Sequence, residues 1–261
     1  MSRSLSFFFA LLKTSIRASI SLRGAFLLET VLMIGSNLIF FFIWWVFFRE
    51  FKSVGGWQFA DMIALMTIVT GAYGLAKVCF GGVKDIARSI ATGNLDPFMT
   101  QPKNLLLHLL GAKSHSKGWG HMMTSLILFF LGGRTTLGHF PLLLIFILSS
   151  CLIFTAVGVI AHSLAFWLGS IETVSKKYCD SLFLFVHYPV NIYSGSLQFI
   201  MFTFFPAGII GYIPVELLKS FSWANFCILL LSVFSFVSLA FFVFYRGLRR
   251  YESGSRFTIR L

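Results

Sequence analysis

Apolar stretches of about 20 residues, separated by short clusters of lysine and arginine, constrain this chain more than any motif does. A hydrocarbon core about 30 Å thick is crossed by about 20 apolar residues of helix, each rising about 1.5 Å. Stretches of this kind recur at residues 26–48, 58–79, 119–137, 140–168, 182–200 and 222–245. In lipid every backbone N–H and C=O must be bonded within its own segment, so such stretches fold as helices. The expected fold class is all-α: a polytopic membrane protein with six transmembrane helices. No remaining stretch is long enough for a separate soluble domain, so residues 1–261 are expected to form a single transmembrane domain.

Composition supports lipid as the solvent. Hydrophobic residues make up 57% of the chain and charged residues 11%, against roughly 25% charged in a soluble domain. The net charge of +12 would suggest nucleic acid as a partner if the bases lined a polar face. Here they sit between apolar runs, which reads as topology, and no nucleic acid is expected. With the N-terminus inside, 17 of the 21 lysines and arginines fall on the inner side. Only Arg49, Lys52, Arg134 and Lys219 fall outside. The positive-inside rule then predicts an even number of spans and both termini in the cytoplasm. The first apolar run, about 23 residues from Phe26, is too long for a signal-peptide core and is expected to stay as the first span. The four cysteines show neither a disulfide framework nor a zinc spacing.

The spans are unequal. Residues 4–22 place Leu5, Phe8, Phe9, Leu12, Ile16 and Ile20 at helical spacing beside Lys13 and Arg17, the pattern of an amphipathic helix lying in the membrane interface. The third span is the weakest, because its apolar centre, Met122–Leu131, is short. Residues 169–181, with Glu172, Lys176, Lys177 and Asp180, read as a short polar loop. Beyond it, Pro189, Gly195, Pro206, Gly208, Gly211 and Pro214 interrupt an apolar region. Proline removes a backbone donor and breaks the helical ladder. A fifth span broken near Tyr188-Pro189, followed by a re-entrant helix pair before the last span, is therefore expected.

Motifs of enzymatic chemistry are missing. There is no GxxxxGK[ST] phosphate loop, no HExxH, no GxSxG and no paired-histidine metal spacing. His162 and His187 fall in or beside spans and are the histidines to weigh as proton relays; a bonded structural histidine is the plainer reading. The longest polar stretch, residues 81–118, is the candidate functional element. Ile86, Ala87 and Ile90 form a helical face beside Lys84, Asp85 and Arg88. Gly93 is suited to end that helix in the left-handed conformation. Asp96 is placed to cap the next turn, with Pro97 at its first position, and Pro102 separates a further helix containing Leu105–Leu110. The segment reads either as an ordinary structured loop or as a docking element for a cytoplasmic partner.

At this segment the chain resembles a known family. Gly93-Asn94-Leu95-Asp96, with Pro102 six residues on, resembles the "G-x-L-D … P" signature of ABC-2 type transporter permeases, in particular a bacterial branch of that group. Tyr188-Pro189, Tyr193, Pro206 and Tyr212-Ile213-Pro214 resemble that branch's "YP … Y … P … Y-x-P" pattern between the fifth and sixth spans. The resemblance implies a transport subunit, not an enzyme, in a bacterial inner membrane. It implies a separate cytoplasmic ATP-binding subunit carrying ATP and magnesium, with no cofactor in this chain. It implies a second permease half, identical or paralogous, and contact with membrane lipid. Carried over by position, Lys84, Asp85, Arg88, Gly93, Leu95, Asp96 and Pro102 would belong to the coupling region. Tyr188, Pro189, Tyr193, Pro206 and Pro214 would shape an outer gate. The apolar walls suit export of a hydrophobic or lipid-like substrate. A membrane-embedded enzyme acting on lipid and a non-transporting scaffold are the alternatives.

Overall fold

The structure, a computed structural model, describes residues 2–101, 103–132 and 137–252. Among these residues it is all-helical, with one isolated bridge between Val54 and Trp57. Four helices are long and apolar enough to cross a membrane: α2 (Arg23–Glu50), α3 (Phe59–Cys79), α8 (Phe140–Ser163) continued by α9 (Ala165–Leu168), and α13 (Trp223–Leu248). The remaining helices are α1 (Ser2–Ser21), α4 (Ile86–Ala91), α5 (Asp96–Met99), α6 (Leu105–Gly111), α7 (Ser116–Leu131), α10 (Glu172–Val186), α11 (Ser196–Thr203) and α12 (Ile213–Lys219).

The core forms around α3, which is 83% buried over its most apolar window, against 17% for α2 and 11% for α13. Burial explains the composition of α3. Its threonines, glycines and alanines face other helices, whereas the exposed leucines and phenylalanines of α2 and α13 are suited to lipid. Thr67 and Thr70 donate their hydroxyl protons to Ile63 and Met66 one turn back, at 2.7 and 2.6 Å, so no polar group is left over.

Helix α7 is wedged between α2 and α3, and glycines set how closely. A Cβ added at Gly74 would lie 2.7 Å from the carbonyl oxygen of Gly118, and one at Gly118 would lie 2.8 Å from that of Gly74. On the other side a Cβ at Gly120 would lie 2.6 Å from the Thr30 oxygen. Small residues that bring backbones together are the usual device of helix association in lipid, where no hydrophobic drive separates protein from solvent. Polar side chains add to it. The Asn37 amide donates to Thr124 Oγ1 at 3.1 Å and lies 3.1 Å from His121 Nδ1, while Ser125 donates to the Thr67 carbonyl at 2.6 Å.

This packing accounts for the weak apolar signal of the third stretch. Helix α7 has 16 residues, about 24 Å at 1.5 Å per residue, and it buries Gly118, Gly120, His121, Thr124 and Ser125 against protein. Residues 133–136, part of the expected 119–137 span, lie outside the described residues.

One expectation is corrected. Residues 169–181 are not a polar loop from end to end, because α10 begins at Glu172, ten residues before the expected 182. Glu172, Lys176 and Asp180 recur every four residues, and so line one side of a helix rather than marking a turn. Ser175 ties the helix to α8 by donating to the Ala161 carbonyl at 2.9 Å. Helix α10 ends at Val186, just before Tyr188-Pro189. Further on, α11 and the segment Gly208–Lys219 meet at a bend of 76°. The inner part of that bend, Gly208–Tyr212, is wound as a π-helix, and its Ile210 carbonyl accepts from Ser150 of α8 at 2.7 Å.

Helix α1 is separate from α2, the chain breaking at Leu22. Phe8 is buried and stacks on Phe80 at 5.7 Å, and the Phe7 ring meets His108 of α6 edge-on at 5.1 Å. Phe9 and Ile20 stay exposed.

Replacing Gly74 or Gly118 by valine is expected to cost about 2–3 kcal/mol, because the added atoms meet backbone rather than a side chain that can rotate away. Thermal unfolding in detergent checks this. Gly24→Ala, where nothing lies within 4 Å of the new Cβ, is expected to leave the midpoint unchanged or slightly raised.

Candidate functional site

The expected coupling residues that fall among the described ones lie together at one end of the bundle, but they do different things. After α3 a short 3₁₀ turn, Gly81–Asp85, leads into α4. Ile86 and Ala87 are buried, and Ile90 packs at the edge of the same cluster. Helix α4 then stops in a Schellman motif. Gly93 has φ +73°, its N–H donates to Ile90, and the N–H of Asn94 donates to the Ser89 carbonyl at 2.9 Å. Only glycine takes this conformation without strain.

Leu95 follows, fully buried, in a second hydrophobic core shared with Ile86, Leu106 and Leu109 from the polar segment and with Ala156 and Phe244 from α8 and α13. Leu95 is thus a packing residue of this element. Asp96 is the first residue of α5 and Pro97 comes one position later than expected, because Leu95 is the cap. Tyr251, just beyond α13, closes the turn: its hydroxyl accepts from the Leu95 N–H at 3.3 Å. Burial and the nearby Asp96 carboxylate push the Tyr251 hydroxyl pKa above its ordinary value. Pro102 lies outside the described residues.

The three charged positions diverge. Arg88 forms a two-bond fork on Glu172 of α10, with Nε at 3.1 Å from one oxygen and a terminal nitrogen at 2.8 Å from the other. Glu172 also holds Lys176. Asp85 pairs with Lys113 at 2.8 Å. Lys84 instead lines a cavity between α3, α8 and α10. Pairing Arg88 with Glu172 binds α4 to α10, a link that sequence spacing cannot show because 84 residues separate the partners.

Besides Arg88 and Ala91, the exposed residues of this element lie at its tip: Thr92, Asn94, Pro97, Met99, Thr100, Gln101 and Lys103. Met99, an apolar side chain 48% exposed, stands out there.

The other set lies elsewhere. Tyr188 packs edge-on against Phe40 and Trp44 of α2 at 5.8 and 5.9 Å. Pro189 is buried and starts the turn Val190–Ile192, with Tyr193 beside it. Pro206 and Pro214 are both buried, one at the bend and one in the first turn of α12. Sequence reasoning missed the group that ties this region together. Trp57, fully buried, donates its indole N–H to Glu216 at 2.9 Å and stacks on Tyr212 at 5.7 Å. Glu216 pairs with Lys219 at 3.1 Å, and Asn191 donates to the Gly55 carbonyl at 2.9 Å. The one legible signal was a tryptophan in a short loop with two adjacent glycines.

Of the two weighed histidines, His187 lies 2.7 Å from the Phe183 carbonyl through Nδ1 and is boxed by Phe40 and Phe183, as a structural histidine is. His162 is buried, and its Nδ1 has no hydrogen-bond partner. Among the described residues no three His, Cys, Asp or Glu side chains converge as a metal site requires.

The family model described as ABC-2 family transporter protein matches residues 31–255. No curated protein and no solved structure matches the chain. The matched region opens within α2 and takes in every later helix, including the buried α3, the folded element at 84–111 and the bent pair before α13. With its several membrane-spanning-capable helices, the chain belongs to the ABC-2 family of transporter proteins and is a multi-pass membrane permease of an ABC transporter.

Proposed function

We propose that this permease is driven at the 84–111 element by a separate cytoplasmic ATP-binding subunit and exports a hydrophobic or lipid-like substrate. The observation that carries the reading is the construction of that element. Its apolar face is locked into a core with α8 and α13, while its tip, around Pro97–Met99, is left outside. A push on the tip is therefore delivered to two long helices, not absorbed by a loose loop. Nucleotide and magnesium chemistry belongs to the partner chain, since the phosphate-loop motif is absent here.

The same reading sets the topology. Six crossings are made by α2, α3, α7, α8 with α9, α10 with the turn after it, and α13. Helices α11 and α12 form the re-entrant pair at the outer face. The basic end, with the 84–111 element and both termini, faces the cytoplasm, as the 17-to-4 charge asymmetry favours. Helix α1 lies along the inner interface with Phe9 and Ile20 in lipid. The membrane is a bacterial inner membrane, and a second permease half, identical or paralogous, completes the pathway.

Two substitutions separate contact from packing. Met99→Glu is expected to reduce co-purification of the ATP-binding subunit by about tenfold or more, with no change in the unfolding midpoint, because an exposed apolar anchor is lost. Leu95→Ala is expected to cost about 2–5 kcal/mol of stability, because a fully buried leucine is removed. Undiminished capture of the subunit by Met99→Glu removes this docking assignment, and recovery of a complex with no nucleotide-binding chain removes the proposed drive.

Topology has its own check in a cysteine-free background. Lys177→Cys is expected to be shielded from impermeant maleimide added to intact cells, and Lys52→Cys to be labelled. The reverse pattern would invert the orientation.

A further inference from the structure

The cavity that Lys84 lines lies at the basic end, is about 110 Å³ in volume, and has room for several water molecules. Lys77, Lys84 and Lys176 reach it from α3, the following turn and α10, and Asp180 is its one lining carboxylate. Two of the three cations lack a carboxylate partner. Lys176 is held by Glu172, whereas among the described residues neither Lys77 nor Lys84 has a carboxylate at ion-pair distance. Lys77 sits instead over the Tyr73 ring at 4.1 Å.

Three lysines against one lining carboxylate leave the cavity net positive, and partly buried charge is costly unless something of the opposite sign joins it. His162, 1% exposed, is also among the residues around the cavity, and its buried Nδ1 has no hydrogen-bond partner. Beside it, sharing Phe80 and Thr155 as a common wall, runs a groove of about 260 Å³ whose lining surface is apolar. Phe8 of α1 and Leu106 of α6 stand on one side of the groove, and Val237 and Phe241 of α13 on the other.

We propose that this cavity is a binding site for a phosphate-class anion, held by Lys77 and Lys84. A phosphate satisfies several donors at once, and charge-assisted bonds to lysine are the strong kind. The neighbouring groove, sized and lined for an acyl chain, favours an anion carried by a lipid over one free in solution. The proposal goes beyond the transport reading and needs no ATP-binding subunit for its test.

The test uses the purified full-length chain in nonionic detergent. Native mass spectrometry reads retention of phosphatidylglycerol against phosphatidylcholine, and calorimetric titration reads inorganic phosphate. Phosphatidylglycerol is expected to be retained about tenfold better than phosphatidylcholine, and Lys84→Glu to lower that retention about tenfold. Lys177→Glu changes an exposed lysine of α10 that does not line the cavity, so it is expected to leave retention unchanged. Phosphate binding lost in Lys84→Glu, without lipid preference, would support the anion site and assign the free ion as its source. Equal retention of the two lipids with no phosphate binding overturns the proposal, and so does an equal loss in Lys84→Glu and Lys177→Glu. If Lys84→Glu fails to fold, Lys84→Gln with an unchanged unfolding midpoint takes its place and must show the same loss.

Discussion

The contact of backbone on backbone between α3 and α7, at Gly74 and Gly118, is the constraint around which the bundle is arranged. Without side chains between them the two helices approach closely enough for Ser125 to reach the Thr67 carbonyl, and for α2 to close on the far side of α7 through Gly120. Lipid offers no hydrophobic gain for helix association, so close packing and satisfied polar groups must supply it. That is why the most buried of the four long helices is also the least apolar of them.

From this centre the two ends are built on different terms. At the end that carries Trp57, an indole, a carboxylate and a lysine fix the bent pair to the loop after α2. At the basic end, ion pairs join elements far apart in sequence: α4 to α10 through Arg88 and Glu172, and the turn after α3 to Lys113 through Asp85. Arg88 is well exposed, so its pair with Glu172 is worth little as stability. Its consequence is geometric: it sets α4 against α10. The small core around Leu95 does the same for α4, α6, α8 and α13. Transport driven from this end then needs the 84–111 element to behave as a rigid lever.

Much of this was legible in the sequence. The long helices α2, α3, α8 and α13 stand out by length and apolarity, and their predicted limits match the structure within a few residues. Gly93 announced the end of α4, because its role is local: one residue must take a positive φ. Two features were obscured because the relevant neighbour is distant in the chain. The third stretch looked poor as a span because its polar residues meet Asn37 and Thr67, which no local window contains. The start of α10 looked like a loop because Glu172, Lys176 and Asp180 were weighed as charges, not as one side of a helix. Leu95 belongs to the segment that resembles the family signature, and its side chain is buried in the apolar core that holds the element together.

The proposed drive depends on where the ATP-binding subunit docks. Site-specific photo-cross-linking from position 99 of the intact chain, in native membranes, tests that most directly. The predicted result is an adduct with a polypeptide that carries a nucleotide-binding phosphate loop, formed from position 99 and not from position 219 at the opposite end. No such adduct from position 99, or one formed from position 219 instead, would contradict the assignment of the 84–111 element as the point of drive.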